Sequence, residues 1–257
     1  MLTIRDEQMK RFEEVALDTY VQKLIAHCRA FSPHLAKTLH DEELDHAIRV
    51  GIEDADSHGL RLRGPVRFYI DMMILLGSGF ATDPQYPWVS EVLDERDDLA
   101  EMQRSDLLHE RTVAYLRRVD GEDNRQTLDA LQRLRALVRA GLGFTTDGLE
   151  RELLGLMWQV HPHKTEATGD QALRTLIGQG VALARDKYGF RRPRSFGLMP
   201  TLMFAFGHEV DRDPLLPWIA RTLDVIDPTD PDSTAERLER RAMVWLDGVL
   251  SNAKRGD

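Results

Sequence analysis

The side chains best suited to chemistry in this chain are its 9 histidines and the carboxylates beside them. Glu43-Leu44-Asp45-His46 has the Glu-x-x-His spacing that sets two ligands on one helix face, as in helical di-iron sites, which need the motif twice. The corresponding residues of the second half are Ala172 and Thr175, so a solvated charged face is the simpler account. His161-Pro162-His163 places two imidazoles around a proline in an expected loop, with His34 as the counterpart of His163. A loop or capping role competes there with weak metal binding. His208-Glu209 follows an apolar helix and corresponds to Ser78-Gly79. Glu43, His46, His161, His163 and His208 are therefore the candidates for iron or zinc binding or for catalysis, without a repeated site among them. No cofactor is expected.

Nucleophilic chemistry has less to build on. There is no Gly-x-Ser-x-Gly elbow and no phosphate-cradling glycine loop. Cys28, the single cysteine, falls on the apolar face of a helix, where it reads as buried and inert. One cysteine also excludes an intrachain disulfide and a cysteine-based zinc site, and a reducing, cytoplasmic location is the simplest reading.

The carboxylates Asp83 and Asp94 recur as Asp213 and Asp224 because much of the chain recurs. Residues 59–94 align without a gap on 189–224 with 10 identities, among them Gly77/Gly207, Asp83/Asp213, Pro84/Pro214, Pro87/Pro217 and Trp88/Trp218. Chance would give about two. The same offset pairs Leu108 with Leu238 and Tyr115 with Trp245, whereas upstream it drops by one residue, pairing Gly51 with Gly180 and Pro33 with Pro162. Both halves thus carry the pattern D-P-x-x-P-W. Two tandem, pseudo-symmetric helical repeats of about five helices each are expected, at residues 1–120 and 125–257, as two units or one continuous domain.

The elements follow from spacing. Met9, Phe12, Ala16, Tyr20, Leu24, Cys28 and Phe31 mark one face of a helix over residues 3–31. A second starts near Asp41 and stops before Gly59; a third, from Pro65 to Leu76, is apolar almost all round and should be central. The two prolines of D-P-x-x-P-W fit a turn that opens a helix, with Asp83 free to cap exposed amides. A helix over 105–118, a hinge at 120–124 and a connecting helix complete the first half. The second repeats the order near 147–160, 170–187, 195–206, 217–224 and 234–250, with a capping box at Ser233-Thr234-Ala235-Glu236. No alternating run supports a sheet, and no apolar stretch is long enough to span a bilayer.

For function, the net charge of -9 argues against nucleic acid or an anionic membrane and suits a basic partner. Trp88 and Trp218, with Tyr86, are candidate partner anchors, since tryptophan is enriched in binding hot spots; packing each tryptophan within its own half is the competing account. Arg191-Arg192-Pro193-Arg194 is a local basic loop that could add a rim contact.

The opening Leu2-Thr3-Ile4-Arg5-Asp6-Glu7-Gln8-Met9, Gly51-Ile52 and Met72-Met73-Ile74-Leu75-Leu76-Gly77 before Asp83-Pro84-Gln85-Tyr86-Pro87-Trp88 resemble a group of uncharacterised bacterial all-helical proteins. Members are often encoded beside type VI secretion tip, adaptor and effector genes. The resemblance covers residues 2–94 and implies a cytoplasmic accessory without catalysis: an adaptor or chaperone for a secreted effector, or an immunity protein that neutralises one. The partner expected is a protein, such as a basic effector or toxin domain, gripped in a groove between the halves. The alternatives are a helical metal-binding protein or enzyme using the histidines and Glu43, and a small-ligand sensor with a pocket between apolar helices.

Overall fold

In the computed structural model the described residues are 6–33, 38–96 and 98–253. They contain twelve α-helices and no strand. The first half runs α1 (Asp6–Phe31), α2 (Asp41–Ser57), α3 (Arg63–Leu76), α4 (Pro87–Asp94) and α5 (Glu101–Val119). A short 3-10 turn, Glu122–Asn124, leads into the connecting helix α6 (Arg125–Ala140). The second half is α7 (Leu149–Val160), α8 (Pro162–Thr168), α9 (Asp170–Ala182), α10 (Pro193–Phe206), α11 (Pro217–Leu223) and α12 (Asp232–Ala253). Prolines occupy the first turns of α4, α8, α10 and α11, where their missing N–H is no loss.

Each half buries its own core. Leu24, Ile48, Tyr69, Met73, Phe80 and Val92 form the first, and Leu153, Met157, Leu176, Met199, Ile219 and Leu238 the second. Each such side chain contributes about 2 kcal/mol of apolar burial. Every residue from Ser195 to Phe204 is buried, so α10 is central to its half, as its sequence required. Bare glycines let helices meet: a Cβ on Gly51 would lie 2.4 Å from Met73 Sδ, and one on Gly180 would lie 2.7 Å from Pro200 Cγ.

Three local expectations are corrected. The apolar face of α1 is buried only through Val21, Leu24 and Cys28; Met9, Phe12 and Phe31 stay exposed, because none of the described residues packs over either end of the helix. The expected loop at His161-Pro162-His163 is the start of α8, with Pro162 opening the helix and His161 Nδ1 accepting from Lys164 N at 3.3 Å. The capping box at Ser233 does not form, since α12 already begins at Asp232 and the Ser233 and Thr234 hydroxyls donate to Asp230 O and Val225 O.

The one-residue change of register between the halves has a physical form. Gly180 and Gly189 are one residue further apart than Gly51 and Gly59, and α9 absorbs the extra residue as a π-helical turn, Leu183–Lys187. Helix α2 has no such turn.

Candidate binding cavity

The two D-P-x-x-P-W turns position everything near the middle of the molecule. Residues 71–90 and 201–220 have the same backbone assignment position by position. In each, the aspartate uses one carboxylate oxygen on its own turn, Asp83 Oδ1 accepting from Gln85 N and Asp213 Oδ1 from Leu215 N, both at 2.8 Å. The other oxygen crosses to the opposite half. Asp83 Oδ2 accepts from His208 N at 2.8 Å, and Asp213 Oδ2 from Ser78 N at 3.0 Å. These four amides would otherwise be buried donors without acceptors, which is the most costly state for a backbone group.

Gly77 and Gly207 meet inside this reciprocal clasp, at φ 98° and 108°. A Cβ on Gly77 would stand 2.4 Å from Phe206 O, and one on Gly207 3.1 Å from Leu76 O. The residues after the aspartates also change sides. Leu215 joins the core of the first half, while Gln85 Nε2 donates to Met203 O of the second at 3.1 Å.

A partly open cavity of about 640 Å³ lies beside the clasp, walled by both halves and by α6. Aligned pairs line it together: Phe31 with Val160, Ser32 with His161, Ile74 with Phe204, and Val119 with Val249. Leu116, Leu128, Leu131 and Leu134 extend an apolar wall. The polar lining is one-sided. Tyr86, Tyr115 and Asp120 face the cavity, whereas their counterparts Leu216, Trp245 and Leu250 do not.

Lys164 is the strongest polar feature. It is 9% exposed, and its ammonium donates to Phe204 O at 2.6 Å, a carbonyl in the last turn of α10, where a cation is favoured by the helix dipole. It stands 5.6 Å from the Tyr86 ring centre and 5.0 Å from that of Phe204. No carboxylate forms an ion pair with it among the described residues. Burial pushes its pKa down to about 8, opposed by the more distant charges of Asp83 and Asp120. Burial likewise raises Asp120, although the Thr127 hydroxyl donates to its Oδ1 at 2.6 Å. Burial holds His161 down to about 4, assisted by Lys164, so this imidazole is neutral at pH 7. The Tyr115 phenol is raised, first by burial and then by Asp120, with the Tyr86 phenol opposing; its buried hydroxyl lies against that phenol without a well-formed hydrogen bond among the described residues.

No protein-family model matches this chain, and neither a curated protein nor a solved structure matches it. The reading therefore rests on where the structure puts each side chain.

The candidates from the sequence are dispersed. Glu43 closes the start of α2 by accepting from His40 N at 2.8 Å and pairs across the halves with Arg221, while His46 is exposed. His161 is buried at the cavity and His163 is exposed on the following turn. His208 sits at the clasp, its Nε2 3.3 Å from Thr82 Oγ1. No group of three or more histidine, cysteine, aspartate or glutamate side chains placed to hold a metal ion occurs among the described residues. His34 lies outside them.

The partner-facing candidates are also reassigned. Tyr86 is 3% exposed, so it offers a partner no outer surface; it is part of the cavity wall instead. Trp88 and Trp218 each pack on the core of their own half, with indole nitrogens that are buried and reach no hydrogen-bond partner among the described residues. Arg192 and Arg194 are ion-paired to Glu236 and Glu239 of α12, and the amides of Arg191 and Arg192 donate to Asp232. The basic loop is thus a tie between α10 and α12. In the first half the amides of Arg61 and Leu62, aligned with Arg191 and Arg192, donate to Glu101.

Cys28 is buried as expected, and burial pushes its thiol up to about 12. No helix among the described residues is long and apolar enough to cross a membrane.

Sequence reasoning missed Lys164, Tyr115 and Asp120. A signal was present: each is a polar residue whose aligned counterpart is apolar, Leu35, Trp245 and Leu250.

Proposed function

We propose that this protein is a non-catalytic binding protein whose seat is the cavity between the two halves, and that its occupant is an apolar segment of a partner protein. The observation that carries this reading is the cavity: about 640 Å³, largely apolar, walled by both halves and by α6. That volume falls within the range of specific ligand sites. A few converging polar groups on an apolar wall fix orientation, while the wall supplies affinity. The resemblance to proteins encoded beside type VI secretion genes makes an adaptor, chaperone or immunity protein in the cytoplasm the favoured biological setting.

The charge argument shifts with the geometry. The acidic surface suits a basic partner at long range, but the cavity itself holds a lysine, so its occupant is selected by different chemistry from the rim.

Ala205 on the cavity wall gives the test. Ala205→Trp fills the space without removing any packed side chain. Recovery of a partner with the protein from cells that express it should be lost, with the melting temperature within a few degrees of the parent. Undiminished recovery of the same partner by the filled variant would sink the reading.

A further inference from the structure

We infer that the cavity receives the free C-terminal end of its partner, with the terminal carboxylate on Lys164 and Tyr115 and a backbone amide on Asp120. This rests on the cavity being the partner seat and goes further in naming the chemistry that enters it.

The first support is an ammonium without an anion. Buried charges are ordinarily paired; among the described residues Lys164 donates to the Phe204 carbonyl and forms no ion pair, which leaves two of its three protons for another acceptor. The chain carries 28 arginines and 6 lysines, yet the cation set into this cavity is a lysine, whose compact head suits a single carboxylate at the end of a chain.

The second support is the Tyr115 hydroxyl, a buried group on the same cavity whose one polar neighbour is the Tyr86 phenol, without a well-formed hydrogen bond among the described residues. A buried hydroxyl without a well-formed hydrogen bond is unfavourable until an acceptor arrives. Lys164 and Tyr115 both line the cavity and can each donate to an acceptor that enters it.

The third support distinguishes a polypeptide end from a free acid with an alkyl tail. Asp120 lines the cavity, and Thr127 engages one of its two carboxylate oxygens, Oδ1. Asn124 and Ser32 add further polar groups to the lining. An alkyl chain would leave these unmatched, whereas a peptide backbone provides N–H and C=O groups at regular intervals. Capture of a terminal carboxylate by buried donors is an established recognition mode.

The test uses the intact protein and fluorescence polarisation of three probes. One is a labelled five-residue peptide ending in valine-leucine with a free carboxylate; another is the same peptide as its C-terminal amide; decanoate is the third, added as competitor. The free acid should bind at least tenfold more tightly than the amide, a comparison that needs no variant. Lys164→Met should remove that preference while leaving the amide's affinity unchanged, and circular dichroism should report the parent helix content. Tyr115→Phe should weaken the acid alone, by about threefold.

Equal binding of acid and amide overturns the carboxylate assignment and leaves the cavity reading standing. Binding of decanoate with none of the peptides overturns the polypeptide assignment. If no probe binds and Ala205→Trp also leaves the partner complex intact, both readings fail.

Discussion

The turn that ends α3 and the turn that ends α10 share their backbone hydrogen bonds to the aspartates, whereas the polar lining of the cavity a few residues away is not shared. Asp83 and Asp213 repeat one another's bonds on both sides of the clasp. The residues aligned with Tyr86, Tyr115, Asp120 and Lys164 are all apolar: Leu216, Trp245, Leu250 and Leu35. The shared parts are those that hold the halves together, where each aspartate accepts from an amide of the other half. The parts that differ are the ones that face an empty space, where nothing in the fold demands agreement. Function should therefore depend on which half is altered, and stability at the clasp should not, with one exception.

That exception gives the largest expected effect. Both clasp glycines hold backbone angles reserved for glycine, so alanine costs about 2 kcal/mol at Gly207. At Gly77 the added methyl also meets Phe206 O at 2.4 Å, and the cost should exceed 4 kcal/mol by urea unfolding. Equal losses at the two positions would show that the clasp relaxes symmetrically.

Next come Asp83→Ala and Asp213→Ala. Each orphans two buried amides, one in its own turn and one across the clasp, and each should cost about 3 kcal/mol. The two values should agree within about 1 kcal/mol. A large imbalance would break the equivalence of the turns.

His161 separates the halves by pH, since its counterpart Ser32 does not titrate. Its folded pKa, about 4, lies below the ordinary histidine value, so the unfolded chain takes up a proton first as pH falls. Stability should decline between pH 6.5 and 4, by about 2 kcal/mol, and be unaffected by this group above 6.5. His161→Asn keeps an acceptor at the start of α8 and should flatten that slope; an unchanged slope would place the proton elsewhere.

The smallest effect is at Tyr115. Removing a buried hydroxyl whose one polar neighbour, the Tyr86 phenol, gives it no well-formed hydrogen bond should change stability by less than about 1 kcal/mol in either direction, even as Tyr115→Phe weakens binding of the free acid. A loss of stability above that size would mean the hydroxyl already has a structural partner.

The helices were legible in the sequence because glycines and prolines punctuate them and apolar spacing marks their faces; Gly59, Gly77, Gly189 and Gly207 all hold positive φ at or just beyond helix ends. The D-P-x-x-P-W turn was legible as a turn. Its second role was hidden, since nothing along a chain says that one carboxylate oxygen reaches a residue 125 positions away. Helix α8 was hidden by its brevity, seven residues with a histidine on either side of its first proline. Lys164 was hidden by its type, as a lysine on a short polar segment reads as solvated unless tertiary packing closes over it. The metal candidates misled because histidine spacing was judged without knowing which helices face one another.

The clasp joins two segments of one polypeptide, and this has a bearing on what the cavity can contain. In an assembly of two identical chains, any group near the axis faces its own image: a lysine would confront a lysine, a carboxylate a carboxylate. Linking the halves through α6 frees each position to be written once. A single ammonium then shares the lining with two phenols and a carboxyl that have no repeated counterpart.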